Sequence, residues 1–233
     1  MKRYLAVRNM NMSRMIWILT FSALILTGFV QDKAKILIIG DSISIGYTPF
    51  VKEMLSGSAT VEHNEGNARH TGYALGKIQE WISAGDYDII LFNWGLHDLC
   101  YRHPDSKVYG NRDKIRGKLT HTLDEYRTNL DSLVRIMRAS THAELIFVTT
   151  SYVPENEAGR YTEDPPRYNA VAREVMQKYS IPVLDIYESS VLIHEKYGLR
   201  PDDVHYTKEG YRELARLIVA CLKKDVDQNF KSP

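Results

Sequence analysis

Lys35-Ile-Leu-Ile-Ile-Gly-Asp-Ser-Ile-Ser44 is an apolar run that stops abruptly at a glycine, an aspartate and a serine. A continuous run of this kind fits a strand buried on both faces, as in a parallel sheet with helices above and below. Gly40 lets the backbone turn sharply, and a side chain just past the carboxyl end of such a strand lies where open α/β sheets bind ligands. Ser42 is therefore a candidate nucleophile standing in a cleft. The competing reading of the same residues is a Ser/Asp turn that caps a helix beginning near Pro49.

Downstream, the same alternation recurs. Thr60 to His63 reads as a second strand, and Asn64 to Thr71 as a polar loop whose Thr71 caps a helix carrying Leu75, Ile78 and Ile82 at helical spacing. Asp88 to Trp94 is a third apolar strand that breaks at Gly95-Leu-His-Asp98, again at a carboxyl end. Residues 101–117 are polar and carry proline and glycine, a long connection for a compact domain and a candidate substrate-facing insertion. Leu119, Leu123, Tyr126, Leu130, Leu133, Val134 and Met137 mark a long amphipathic helix packed on the sheet. Strands at Glu144–Thr149 and Pro182–Ile186, helices from about Tyr168 and Ser189, and a last helix opened by Thr207 complete the pattern. The fold class is three-layer α/β/α with a parallel sheet.

Composition narrows the possible partners. The chain has 233 residues and a formal charge of +1, enough for one domain with a good-sized core. Lysine and arginine are interspersed with acids, so no nucleic-acid or membrane-surface binding is expected. Lys2, Arg3, Arg8 and Arg14 precede an apolar stretch from Met15 to Val30, the order of a secretory signal. Residues 1–31 are accordingly expected to be a signal peptide or, if uncleaved, a membrane anchor. The folded domain is expected over 32–225 and a polar tail over 226–233. Export to a periplasmic or extracellular location follows from that leader, and membrane association only if it is retained. Cys100 and Cys221 are too few for a disulfide scaffold and read best as two separate thiols.

A serine hydroxyl needs an adjacent base that is itself oriented by a third group. Asp202 and His205, on a turn before the last helix, offer that pair, although an Asp-x-x-His taken alone better suits a turn aspartate and a surface histidine. No His-Glu-x-x-His, paired Cys-x-x-Cys, Gly-x-Gly-x-x-Gly or phosphate-loop pattern occurs, so neither a metal nor a cofactor is expected.

Taken together, Gly40-Asp-Ser-Ile43, Gly95-x-x-Asp98 and Asp202-x-x-His205 resemble the GDSL, or SGNH, hydrolase family in content, order and spacing, over roughly Lys35 to Leu222. The resemblance implies a flavodoxin-like sheet and a serine esterase with Ser42 as nucleophile, His205 as base and Asp202 as orienter. It also implies an oxyanion hole formed by Ser42, Ala68 and a side chain after the third strand. Here the chain departs from its apparent relatives: Ala68 stands where they usually have glycine, and His97 where they usually have asparagine. A neutral imidazole can replace the amide if its tautomer is held, with Gly66, Asn67 and Asn93 as alternatives. The expected activity is hydrolysis of a small acyl ester, such as an acetylated carbohydrate. A lipid or thioester deacylase and a non-catalytic carbohydrate-binding module on the same fold are the other readings.

Overall fold

The computed structural model describes residues 33–229, with side chains to residue 223. The leader or anchor read over 1–31 and the end of the polar tail lie outside the described residues. Five strands form one parallel sheet: β1 (Ala34–Ile39), β2 (Ala59–His63), β3 (Ile89–Phe92), β6 (Glu144–Val148) and β7 (Val183–Leu184), in the order β2-β1-β3-β6-β7. Ile36, Ile38 and Ile39 pair with Ile89, Leu91 and Phe92, all buried, so β1 and β3 form the dry centre of the sheet. The strand order reverses beside β1, which opens a crevice at the carboxyl ends of β1 and β3.

Helices α1 (Ser42–Leu55), α2 (Thr71–Leu75), α3 (Ile78–Ile82), α4 (Leu123–Ser140), α5 (Asp164–Lys178), α6 (Tyr187–Tyr197) and α7 (Lys208–Asn229) cover the sheet. Helix α4 carries the long apolar stripe and begins with a capping box, in which Thr122 and Glu125 satisfy each other's backbone N–H. Helix α7 runs on through Asn229, past the boundary expected at 225. Among the described residues no helix is long and apolar enough to cross a membrane, and no cluster of three or more His, Cys, Asp or Glu can hold a metal. Cys100 is a buried thiol and Cys221 a half-buried one.

Three local expectations differ from what is observed. Helix α1 begins at Ser42 rather than near Pro49, because Asp41 is its N-cap and accepts the Ile43 N–H at 3.0 Å; Pro49 lies inside the helix. The cap of α2 is His70, whose Nδ1 accepts the Tyr73 N–H, while Thr71 turns its hydroxyl to Asp98. The insertion is folded, with β4 (Tyr101–Arg102) antiparallel to β5 (Lys118–Leu119), and Leu119 belongs to that hairpin rather than to α4.

Gly95 ends the third strand's turn where the chain passes closest to Thr150. A Cβ at this position would lie 1.9 Å from Thr150 Oγ1, a fully buried hydroxyl that donates to the Trp94 carbonyl. Gly95→Ala is therefore expected to destabilise the domain by about 1–3 kcal/mol, the usual cost of overpacking a core. Urea denaturation checks this; an unchanged midpoint would show that Thr150 yields freely.

Candidate active site

Ser42 reaches the crevice because Gly40 and Asp41 turn the chain from β1 directly into α1. As the first residue of that helix it has a backbone N–H with no partner inside the helix. Asp41 is buried, and that burial raises its carboxyl above the ordinary range against the opposing backbone hydrogen bond from Ile43.

From the opposite end of the chain, the loop between α6 and α7 brings His205 to Ser42. Leu199 N–H donates to the His205 carbonyl at 2.9 Å and Thr207 N–H to the Tyr197 carbonyl at 2.8 Å, which closes the loop into a clamp. His205 Nε2 lies 2.9 Å from Ser42 Oγ. On the other side of the ring, Nδ1 donates to Asp203 Oδ1 at 2.5 Å, and the His205 backbone N–H donates to the same oxygen at 3.1 Å. Burial opposes ionisation of Asp203, but those two hydrogen bonds, with the charge of Arg200, hold its carboxyl below the usual range. The buried His194 ring of α6 supports the loop from beneath by donating from Nε2 to the Asp203 carbonyl at 2.7 Å.

The carboxylate in contact with the His205 ring is thus Asp203 and not the expected Asp202. The turn from Arg200 to Asp203 tips Asp203 inward, while Asp202 stays on the solvent side with its side chain 56% exposed and 3.4 Å from Arg200 Nε. Two adjacent aspartates left the choice to the direction of this turn, for which spacing carries no signal.

The expected oxyanion donors are also sorted by geometry. Ala68 N–H donates to the Gly40 carbonyl at 2.9 Å, so it ties the second loop to β1 and is not free for a substrate. Asn93 Nδ2 donates to the Val148 carbonyl at 2.7 Å and is spent between β3 and β6. Gly66 lies outside the cavity around Ser42. Asn67 and His97 do line that cavity, whose volume is about 620 Å³. Asn67 Oδ1 accepts the N–H of Arg69, a non-glycine residue at φ 52°.

The tautomer of His97 follows from its neighbour. Arg102 Nη2, always a donor, lies 3.3 Å from His97 Nδ1, which leaves the ring proton on Nε2. Burial first, then the charges of Arg160 and Arg102, depress this imidazole well below its ordinary value, so the ring is neutral. The loop carrying it is held by Asp98, fully buried, which accepts the Thr71 N–H at 3.0 Å, the Thr71 hydroxyl at 2.5 Å and His121 Nδ1 at 2.9 Å. His70, which the sequence reading did not single out, also lines the cavity.

A hydroxyl, an imidazole and a carboxylate in series can pass a proton from serine to ring, and neutral N–H donors beside them can receive a developing negative charge. The sequence matches the GDSL-like Lipase/Acylhydrolase family over residues 38–213. The chain belongs to this family. Its members' activity makes the protein a hydrolase acting on esters.

Solved structures agree on the fold. An acetyl xylan esterase, AlAXEase, superposes with a TM-score of 0.64 at 14% identity, covering 81% of this chain and 99% of that one. The lipase/acylhydrolase from Enterococcus faecalis gives 0.65 at 21% identity, covering 82% and 96%. A catalytic mutant of Axe2, an acetylxylan esterase from Geobacillus stearothermophilus, gives 0.61 at 18%, covering 84% and 96%. No curated protein matches the sequence.

If Arg102 holds the His97 tautomer, long-range proton–nitrogen spectra of the histidine-labelled protein should show His97 protonated on Nε2 alone, still neutral at pH 6. A depressed pKa keeps the ring uncharged at every pH above it, so titration near 6.5 would refute the effect of burial and the two cations, and protonation on Nδ1 alone would remove His97 as a donor into the cavity.

Proposed function

We propose that the protein is an exported serine esterase that hydrolyses small acyl esters through an acyl-enzyme. The observation that carries this reading is the 2.9 Å contact between Ser42 Oγ and His205 Nε2, with Asp203 on the far side of the ring. Ser42 Oγ attacks the ester carbonyl carbon while His205 Nε2 takes the hydroxyl proton. The carbonyl electron pair moves onto oxygen, and the resulting oxyanion receives hydrogen bonds from the Ser42 N–H and from His97 Nε2–H. Asn67 is the alternative side-chain donor. When the pair returns, the bond to the alkoxide breaks and His205 gives it the proton. Water then adds to the acyl-serine with His205 again as base, and collapse releases the acid and restores the Ser42 hydroxyl.

Asp203 keeps the imidazole proton on Nδ1 and stabilises the imidazolium that forms. His97, kept neutral by burial and neighbouring cations, offers an N–H that gains strength as negative charge builds. Export rests on the charged-then-apolar order of residues 2–30. An acetylated carbohydrate as substrate is supported by acetyl xylan esterases among the structural neighbours and by the five arginines and three histidines in the cavity lining, which can donate to a polar substrate.

Turnover of p-nitrophenyl acetate by the purified protein tests the reading. Ser42→Ala and His205→Ala should each lose on the order of 10⁶ in kcat, since the residues act as a unit. Asp203→Asn should lose about 10⁴ because the amide permits the wrong tautomer, whereas the exposed Asp202→Asn should stay within about fivefold. The reverse order for the two aspartates would overturn the assignment of the orienter.

The oxyanion assignment has its own signature. His97→Ala should lower kcat on the order of 10²–10³ with little change in KM, and His97→Asn should recover much of it by restoring an amide donor. A near-normal kcat for His97→Ala, with a large loss in Asn67→Ala, would transfer the role to Asn67.

A further inference from the structure

Five arginines, Arg69, Arg102, Arg112, Arg160 and Arg200, line the cavity that holds Ser42, and Asp203 is the one acid lining it with them. A formal charge of +1 over the whole chain makes this concentration local rather than general. Most of these guanidiniums have partners that account for them. Glu157, fully buried, takes Arg112 at 2.5 Å and Arg160 at 2.8 Å through the same oxygen. Arg160 Nε also donates to the Leu96 carbonyl at 2.6 Å, which anchors the loop just before His97. Arg200 faces Asp202 at 3.4 Å and Asp203 at 3.0 Å.

Two remain. Arg102 is half-buried, and its guanidinium donates to the Gly110 carbonyl and to His97 Nδ1, both neutral acceptors. Arg69 lies 4.7 Å over the Tyr73 ring. Neither has a carboxylate within ion-pair distance among the described residues. Five guanidiniums thus face three carboxylates, Glu157, Asp202 and Asp203, and Asp203 is already committed to His205. The excess is near the chemistry: the charges of both Arg102 and Arg69 are felt at His97 and at His70. A positive cavity with partly desolvated walls attracts anions and strengthens their pairing with guanidinium forks.

Resting on the esterase reading above, we infer that the preferred substrate carries an anionic group, a carboxylate or a phosphate, held by Arg69 and Arg102 beside the scissile ester. The folded insertion brings Arg102 to this position, with Arg112 behind it, so the hairpin serves as the anion-binding wall. The competing explanation is that the arginines act only on the oxyanion, through His97; in that case neutral and anionic esters would gain alike.

Three acetate esters separate these views: 4-acetoxybenzoate, its neutral methyl ester, and 4-acetoxyphenyl phosphate. Rates are to be divided by those of alkaline hydrolysis to remove differences in leaving group. At low salt, kcat/KM for at least one anionic ester should exceed that of the neutral ester by roughly tenfold to a hundredfold, the effect of one charge-assisted hydrogen bond. Whichever anion gains more identifies the group, and the advantage should shrink as salt screens it.

Arg69→Gln and Arg102→Gln should each lower the anionic-to-neutral ratio at least about fivefold, chiefly through KM. Arg102→Gln should also cost kcat on every ester, since it frees His97. Ratios near one for both anions in the unaltered protein would overturn the inference while leaving the esterase reading intact. A ratio that survives both substitutions would overturn the assignment to these arginines. Should no ester be turned over, the esterase reading falls. Calorimetry with 4-hydroxybenzoate and inorganic phosphate then decides: binding lost in Arg102→Gln supports the anion site, and no heat with either ligand overturns it.

Discussion

One buried carboxylate holds the rim of this molecule together. Asp98 has no access to water, yet it accepts from the Thr71 backbone, the Thr71 hydroxyl and the His121 ring. Those donors belong to the start of α2 and the segment before α4, while Asp98 itself belongs to the loop after β3. A desolvated carboxylate is tolerable only when its lone pairs are filled by well-directed donors, so the three segments must meet in one arrangement. His97 is its neighbour in sequence and His70 is the neighbour of Thr71. His97 and His70, both lining the cavity, thus inherit their positions from a contact outside it.

The sheet sets the second constraint. Parallel β1 and β3 bury both faces and end side by side at the place where strand order reverses. Whatever follows each strand must share one crevice. From β1 that is Ser42, whose own N–H has no partner inside its helix, and from β3 it is His97. The histidine loop after α6 then has only one gap to fill.

Strand positions and the crevice were legible because buried parallel strands write themselves as unbroken apolar runs, and Ile36 to Ile39 and Ile89 to Phe92 are clear instances. The start of α1 was misplaced because proline is a strong signal for a first turn, and the weaker signal, an aspartate cap before Ser42, prevailed. The choice between Asp202 and Asp203 depends on a turn that two identical side chains disguise. Ala68 sits near the position expected for a donor, but its N–H is spent on Gly40, a contact between segments far apart in sequence. The arginine-lined wall escaped altogether, since Arg69, Arg102, Arg112, Arg160 and Arg200 are scattered along the chain and meet only through the insertion and the loops. Motifs of contiguous residues can be read from a sequence; a charge assembled from five places cannot.

Ser42 and His205 are separated by 163 residues. The entropy of closing so long a segment must be offset before the pair can meet, and the ring's loop lies between the last two helices. During synthesis from the amino terminus, Ser42 and its strand emerge long before the histidine does. A nascent chain therefore carries Ser42 without its imidazole partner, and the pair is assembled only when the segment before the last helix has emerged. The contact between Ser42 and His205 thus reports that the strands lying between the two residues have already been made.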